Sequence, residues 1–207
     1  MRKLLRQQLK RIKMVLIDVD GVLARPQIIW AGQWQGEQLF EIKEFCVHDG
    51  SATWAARAAG LKLAVVSGRE SLATRQRMAH MRVDELCLGD LNKLRVLERL
   101  KQKYGVNEEE MVYIGDDFLD LPIMRRVGIP IAVRDATPEV KRVARYITKM
   151  KGGEGAVGEV LRLVLQAQGK WAQAVETAVS SAYHIMRAAP VEETAVLACD
   201  VAKGVNA

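Results

Sequence analysis

The sequence predicts an α/β fold: a doubly wound parallel sheet with helices on both faces, a small β-hairpin inserted after the first strand, and no large cap domain. Three observations carry this. Short apolar runs alternate with helix-length stretches along most of the chain, the pattern of a parallel sheet built from βα units. Each run is β-branched-rich and closes on Gly, Ser or Asp, as buried strands do. No insertion between the runs is long enough to fold over the others as a cap.

Taken in order, residues 1–13 form a basic amphipathic arm. Leu4, Leu5, Leu9 and Ile12 stand near helical spacing, with Arg2, Lys3, Arg6, Lys10, Arg11 and Lys13 between them. The arm is expected to lie on the body or on a neighbouring subunit, with lipid or nucleic-acid contact as the lesser alternative. The body, residues 14–166, carries strands at Val15-Leu16-Ile17, Leu63-Ala64-Val65-Val66, Leu86-Cys87-Leu88, Met111-Val112-Tyr113-Ile114 and residues 129–133. Helices are expected over 51–59, 70–81, 92–103 and 119–126. Residues 27–45 break the rhythm: Ile28-Ile29-Trp30, then Gly32 and Gly36, then Leu39-Phe40-Glu41-Ile42 read as the hairpin. Val157, Val160, Leu161, Val164 and Leu165 share one helical face. Residues 167–207 form a helical extension, with Trp171, Ala174, Val175, Ala178, Val179, Ala182 and Ile185 on one stripe and Pro190 and Gly204 bracketing a last short segment. It has too few large apolar residues to fold alone and should dock on the body or a partner chain.

Composition removes several function classes. Of 207 residues, 49% are hydrophobic and 27% charged, enough to bury a core. The net charge of +6 belongs to the arm, whose six basic residues face no acid; the other 25 basic residues are matched by 25 acids. A nucleic-acid binder is not indicated, and aromatics at 5% argue against a base-stacking surface. Cys46, Cys87 and Cys199 are too few and too scattered for a disulfide framework, and no C-x-x-C accompanies the dispersed His48, His80 and His184. No apolar run approaches the ~18 residues of a membrane span. The apolar stretch after the basic start is stopped by Asp18, so no secretory signal is read and a cytoplasmic protein is expected.

The chemistry lies where apolar strands end in polar groups. The segments are Asp18-Val19-Asp20-Gly21-Val22, Ser67-Gly68-Arg69, and Gly115-Asp116-Asp117 with Asp120 three residues on. In a doubly wound sheet such ends share one crevice. Asp18 and Asp20, two apart, point the same way on an extended backbone. Clustered carboxylates in a crevice call for a cation, and an all-oxygen, carboxylate-rich set suits Mg²⁺. Lys93, after Gly89-Asp90, heads the helix 92–103 and adds a fixed positive charge. Carboxylate nucleophile, Mg²⁺ and lysine make a phosphoryl-transfer site.

These segments resemble the four motifs of the haloacid dehalogenase superfamily of phosphatases, whose sheet is Rossmann-like. A finer likeness is to the KDO 8-phosphate phosphatase family. It rests on Val47-His48-Asp49-Gly50, on Arg69 with Arg77, on Gly115-Asp116-Asp117 leading into Asp120-Leu121-Pro122, and on Gly152-Gly153-Glu154-Gly155-Ala156-Val157. The resemblance implies that Asp18 attacks phosphorus and forms an aspartyl-phosphate, while Asp20 protonates the leaving alkoxide and then activates water. It implies that Ser67 and Lys93 hold the phosphoryl oxygens, and that Mg²⁺ is bound by Asp18, Asp20 and Asp116, with Asp117 or Asp120 in support. It places Cys46-Val47-His48-Asp49-Gly50, Gly68, Arg69, Arg77 and Lys93 against the substrate, a phosphorylated 3-deoxy-2-keto sugar acid of bacterial surface-polysaccharide (lipopolysaccharide) biosynthesis. It also implies a homotetramer whose neighbours supply the lid.

The chain departs from that pattern at Ala24-Arg25-Pro26, at Gly50-Ser51-Ala52 and at Gly158, which stands where an arginine is usual. Two alternatives therefore stay open: a nonulosonate 9-phosphate or another sugar phosphate as substrate, and a catalytically spent domain kept as a partner protein. Arg77 has the further alternative of a solvated charge on a helix face. Gly153-Glu154-Gly155-Ala156-Val157-Gly158 fits G-x-G-x-x-G, but it closes the domain with no further βα unit, so dinucleotide binding is not expected. A glycine-rich helix start that approaches a substrate is the preferred reading.

Overall fold

The computed structural model describes residues 3–33 and 39–188. Six strands form one sheet: β1 (Met14–Ile17), β4 (Lys62–Val66), β5 (Glu85–Cys87), β6 (Met111–Gly115), β7 (Ile129–Ala132) and β8 (Tyr146–Ile147). Their order is β5-β4-β1-β6-β7-β8, with every neighbouring pair parallel. β1, β6 and β7 are buried along their whole length, which is why they read as unbroken apolar runs rather than alternating ones. The chain steps from β1 outward through β4 to β5, then returns to the other side of β1 as β6. The crevice at the carboxyl ends of β1 and β6 is thus the topological switch point, where ligands bind in such sheets.

The hairpin consists of β2 (Ile29–Gly32) and β3 (Leu39–Ile42), paired Ile29 to Ile42 and Gly32 to Leu39. Trp34 and Gly36 of the expected hairpin lie outside the described residues. Ile28, Trp30 and Phe40 are more than half exposed.

Helices flank the sheet: α2 (Val47–Ala58), α3 (Leu72–Met81), α4 (Lys93–Tyr104), α5 (Leu121–Met124), α6 (Pro138–Val143) and α7 (Ala156–Ala167). Two differ from expectation. The segment 119–126 is a 3₁₀ turn at Phe118–Asp120 followed by the four residues of α5, because Asp117 and Asp120 satisfy the first backbone N–H groups as turn caps. α2 begins at Val47, several residues before the expected 51, although Val, His, Asp and Gly are weak helix formers. Tertiary contact overrides propensity there: the buried Asp49 carboxylate accepts from Gly158 N at 2.6 Å, tying α2 to the first turn of α7.

The arm forms α1 (Lys3–Leu9), and Leu5, Leu9 and Ile12 are buried against the body. Gln168 Nε2 donates to the Ile12 carbonyl at 2.8 Å. Leu4 instead faces solvent. The apolar face of α7 is buried as its spacing predicts. α8 (Trp171–Ala188) packs on α2 and α7, with Ala174 buried and Trp171 under the Arg162 guanidinium at 4.7 Å. The side chains of Ala182 and Ile185, and all of Pro190, Cys199 and Gly204, lie outside the described residues.

Candidate active site

Asp18 follows β1 directly, and Asp116 follows β6. Because β1 and β6 pair in register, Ile17 to Ile114, the two carboxylates end up side by side. Gly21, at φ 82°, bends the chain back over them; a Cβ there would fall 2.0 Å from Asp116 Oδ2, so only glycine fits. Oxygens of Asp18, Asp116 and Asp120 lie within 4.8 Å of one another.

Lys93 joins the cluster from the first residue of α4. A cation at a helix N-terminus opposes the helix dipole, so its place there is a cost that the carboxylates offset. Asn92 caps the helix by accepting from Arg95 N at 3.2 Å. The Lys93 ammonium is buried and spends its three N–H groups on Asp18 Oδ1 (2.9 Å), Asp120 Oδ1 (2.6 Å) and the Tyr113 hydroxyl (2.9 Å). The Tyr113 hydroxyl donates onward to Asp120 Oδ1 at 2.6 Å. The other oxygen of Asp120 accepts from Asp116 N (3.0 Å) and Asp117 N (3.4 Å). Asp120 is therefore saturated and acts as the brace of the site. Asp117 caps its own turn through Phe118 N at 2.7 Å.

Electrostatics follow from this crowding. Burial, then the Asp120 charge, push Asp18 up to about 7 against the pull of Lys93. Burial, then Asp18, Asp120 and Asp117, push Asp116 up to about 8. Burial lowers Lys93, but Asp18 and Asp120 outweigh it and leave the ammonium more firmly protonated than usual. Burial and Asp120 raise Tyr113 well above its ordinary range, so its hydroxyl stays a donor. Asp116 Oδ1 is buried with no hydrogen-bond partner. An orphaned carboxylate oxygen beside Asp18, in an all-oxygen donor set, fits a small hard divalent cation such as Mg²⁺.

Asp20 lies two residues beyond Asp18 and is held by Arg69 of the second motif together with Lys43, which no motif includes. Lys43, just past β3, donates to Asp20 Oδ1. Arg69 Nη1 lies 3.4 Å from Asp20 Oδ2, and Arg69 Nη2 donates to Glu41 Oε1 at 2.7 Å. Burial raises Glu41, but the Ser71 hydroxyl, Lys43 and Arg69 outweigh it and hold its carboxyl below the usual range. Ser67 follows β4, buried, its N–H bonded to the Cys87 carbonyl at 2.9 Å and its Oγ accepting from Arg69 N at 3.2 Å. Gly68 passes under Leu91, where a Cβ would be 2.5 Å from Leu91 Cδ2.

The remaining expected residues gather elsewhere. Val47, His48, Gly50 and Arg77 line a cavity of about 920 Å³ between α2, α7 and α8, together with Trp54 and Trp171. None of Asp18, Asp20, Lys93 and Asp116 lines it. Arg77 is not a solvated charge: it donates to the Cys46 carbonyl at 3.0 Å and packs under Gly50. Asp49 is turned inward onto Gly158 N, and burial pushes it up to about 6. The glycine-rich segment packs on the Asp18 loop, with Gly153 N donating to the Val22 carbonyl at 2.8 Å.

Sequence reasoning missed Lys43, Glu41 and Tyr113. Glu41 stood only in the hairpin run Leu39-Phe40-Glu41-Ile42, and Lys43, within 27–45, carried no local signal. Tyr113 reads as one more apolar strand residue, though its buried hydroxyl needed a partner.

Comparison with known proteins agrees with this geometry. Residues 85–161 match the haloacid dehalogenase-like hydrolase family. The chain is 38% identical over 161 residues to the 3-deoxy-D-manno-octulosonate 8-phosphate phosphatase KdsC of Escherichia coli K12, covering 78% of this chain and 83% of the relative. The 3-deoxy-D-manno-octulosonate 8-phosphate phosphatase of Moraxella catarrhalis, solved with magnesium, phosphate and KDO, superposes with a TM-score of 0.79 at 34% identity over 86% of this chain and 99% of that one. The cobalt-bound Haemophilus influenzae deoxy-D-mannose-octulosonate 8-phosphate phosphatase gives 0.73 at 38% identity over 81% and 98%. The chain thus belongs to the haloacid dehalogenase-like hydrolases and, among them, to the family of the 3-deoxy-D-manno-octulosonate 8-phosphate phosphatases, which are phosphoric monoester hydrolases.

Proposed function

We propose that the chain hydrolyses the phosphomonoester of a sugar acid, 3-deoxy-D-manno-octulosonate 8-phosphate or a near relative of it, through an aspartyl-phosphate on Asp18. The observation that carries this is the convergence of Asp18, Asp116 and Lys93 at the ends of β1 and β6 and the head of α4, with Asp20 two residues from the nucleophile. Asp18 and Asp116, with the Asp20 backbone, would hold Mg²⁺, which when bound neutralises phosphoryl charge.

The Asp18 oxygen that is not bonded to Lys93 attacks phosphorus. The bond from phosphorus to the sugar oxygen breaks, and that oxygen takes a proton from the Asp20 carboxyl. Water then gives a proton to the Asp20 carboxylate as its oxygen attacks phosphorus. The bond from phosphorus to Asp18 breaks, both carboxyl groups return to their starting states, and phosphate leaves. Lys93 keeps Asp18 oriented throughout, and Ser67 faces the phosphoryl oxygens. Arg69, which faces Asp20, is assigned to the sugar acid, because the guanidinium fork matches a carboxylate; Arg77, Val47, His48 and Gly50 line a separate cavity and are not placed against the same molecule. The exposed apolar hairpin supports a homotetramer, and the free Cys46 and Cys87 fit an enzyme of the reducing cytoplasm.

The test is phosphate release from a panel of sugar phosphates, with Mg²⁺ or EDTA, by the natural enzyme and Asp18→Asn. Turnover of the eight-carbon 3-deoxy sugar acid, lost in EDTA and in Asp18→Asn, is expected. Preference for a nonulosonate 9-phosphate would shift the substrate and leave the chemistry in place. Undiminished turnover in EDTA or in Asp18→Asn would overturn the mechanism.

A further inference from the structure

Lys43 is an unusual residue to find at the foot of a surface hairpin. Its side chain is 2% exposed, and its ammonium sits between Asp20 Oδ1 and Glu41 Oε1, the latter at 3.4 Å. Arg69 closes the other side of the square, 3.4 Å from Asp20 Oδ2 and 2.7 Å from Glu41. Two cations and two carboxylates balance. Burying an ammonium is costly, and an apolar residue of like shape commonly serves stability as well. The fold therefore does not require a lysine here, whereas Asp20 gains something specific from it. The terminal torsion of an aspartate is broad and weakly restrained by its own geometry. With Lys43 on one oxygen and Arg69 facing the other, the carboxylate plane is fixed.

We propose that Lys43 is a positioning residue for Asp20: it holds Oδ1, so that Oδ2, the oxygen with only the long Arg69 contact, faces the leaving group and exchanges the proton. This rests on the reading of Asp20 as proton donor and then base. Acid–base catalysis needs the carboxyl within hydrogen-bond reach of the reacting oxygen, and misplacement by about 1 Å costs on the order of 10²-fold. Because Glu41 belongs to β3 and Lys43 follows it, the same contacts tie the seating of the hairpin to the orientation of Asp20.

The experiment compares Lys43→Met, Lys43→Arg, Asp20→Asn and the double variant Asp20→Asn/Lys43→Met in single-turnover phosphoryl transfer. The substrates are a sugar phosphate, whose alkoxide needs a proton, and p-nitrophenyl phosphate, whose phenolate needs it less. In Lys43→Met, Arg69 still pairs both acids, so the variant should fold; if it does not, Lys43→Gln serves the same comparison. Expected for Lys43→Met is a loss of ~10–100-fold on the sugar phosphate and under ~3-fold on the aryl phosphate, with KM for both unchanged. Lys43→Arg should recover part of the loss. In the Asp20→Asn background Lys43→Met should cost nothing further, since no proton-transferring carboxyl is left to place. Equal losses on both substrates in Lys43→Met, beside a leaving-group-dependent Asp20→Asn, would overturn the positioning role alone. So would a raised KM for the sugar acid with kcat unchanged, which would make Lys43 a substrate contact. An Asp20→Asn variant with no leaving-group dependence would overturn both this role and the reading of Asp20.

Discussion

Gly152 lies flat against the carbonyl of Gly21: a Cβ built on Gly152 would fall 1.7 Å from that oxygen and 3.2 Å from Val22 N. The turn that carries Asp18 and Asp20 is thus buttressed by backbone from far along the chain. Neighbouring Gly153, at φ 70°, would bring a Cβ within 2.4 Å of Arg25 N. Backbone cannot swing away as a side chain can. Gly152→Ala is expected to lower kcat roughly 10–100-fold through displacement of the two aspartates, with the far-ultraviolet circular dichroism retained. Gly158→Ala, whose Cβ would meet only the Asp49 carboxylate at 3.2 Å and looser neighbours, should cost far less in the same assay.

Divalent cation should stabilise the protein more at pH 8 than at pH 5.5. Asp18 and Asp116 are raised from an ordinary 3.8 to about 7 and about 8. Between those limits the folded chain holds protons that the unfolded chain has released, so the stability of the metal-free protein falls as pH rises. A cation displaces these protons and binds more tightly as pH climbs. Melting temperatures with Mg²⁺ and with EDTA across this range should diverge upward in pH, and parallel curves would remove the assignment of Asp18 and Asp116 as its ligands.

Asp18→Asn should raise the stability of the metal-free protein at pH 8 while turnover falls to background. The substitution removes a charge that burial and Asp120 disfavour, and Lys93 keeps Asp120 and Tyr113 as partners. A gain of about 1–3 kcal/mol is expected, read by urea unfolding, and it should vanish below pH 4.

Asp49→Asn makes a separate case, away from the carboxylates of the candidate metal site. Burial raises Asp49 to about 6, against the Gly158 N–H and the Arg77 charge, and its Oδ2 is buried without a partner. Its ionisation costs stability as pH rises from about 4 through 6. Asn keeps an oxygen for Gly158 N and carries no charge. Denaturant unfolding at pH 8 should show the variant more stable by about 1–2 kcal/mol, with the difference shrinking to none at pH 4.

The hairpin should bring copies of the chain together. Trp30 and Phe40 point to opposite faces of the ribbon, as their pairing with Glu41 and Ala31 shows, and both are more than half exposed. A two-stranded ribbon buries too little to be stable alone. Light scattering at micromolar concentration should report a tetramer, and Phe40→Lys should shift it to smaller species. A monomeric natural protein would overturn the expectation.

The sheet was legible because β1, β6 and β7 are apolar throughout, and β1 and β6 close on Asp18 and Gly115. That the two aspartates would meet was legible for the same reason: Asp18 and Asp116 follow the carboxyl ends of adjacent strands. The start of α2 was not, since its first turn depends on Asp49 meeting Gly158, more than a hundred residues away. Lys43 was hidden because burial of a charged side chain is decided by the partners that the fold delivers, here Asp20 and Glu41, and not by anything local. The double glycine at 152 and 153 was visible as a motif, but its purpose, close backbone approach to the Asp18 loop, needed the three-dimensional contact.

The sheet order also sets when the enzyme can become active during its own synthesis. β1 leaves the ribosome early, yet both of its partners, β4 and β6, lie downstream, and the loop after it waits for Gly152 and Gly153 to close upon it. Parallel pairings between distant segments are slow to form. The nascent chain therefore carries an apolar β1 with an open edge until β6 is made, a little over half way along, and an unbraced Asp18 loop until about three quarters of it has been made, a stage at which such chains are prone to aggregate. A stop codon between Asp120 and the double glycine would leave a chain holding every acid and lysine of the candidate site but no backbone to buttress the Asp18 loop.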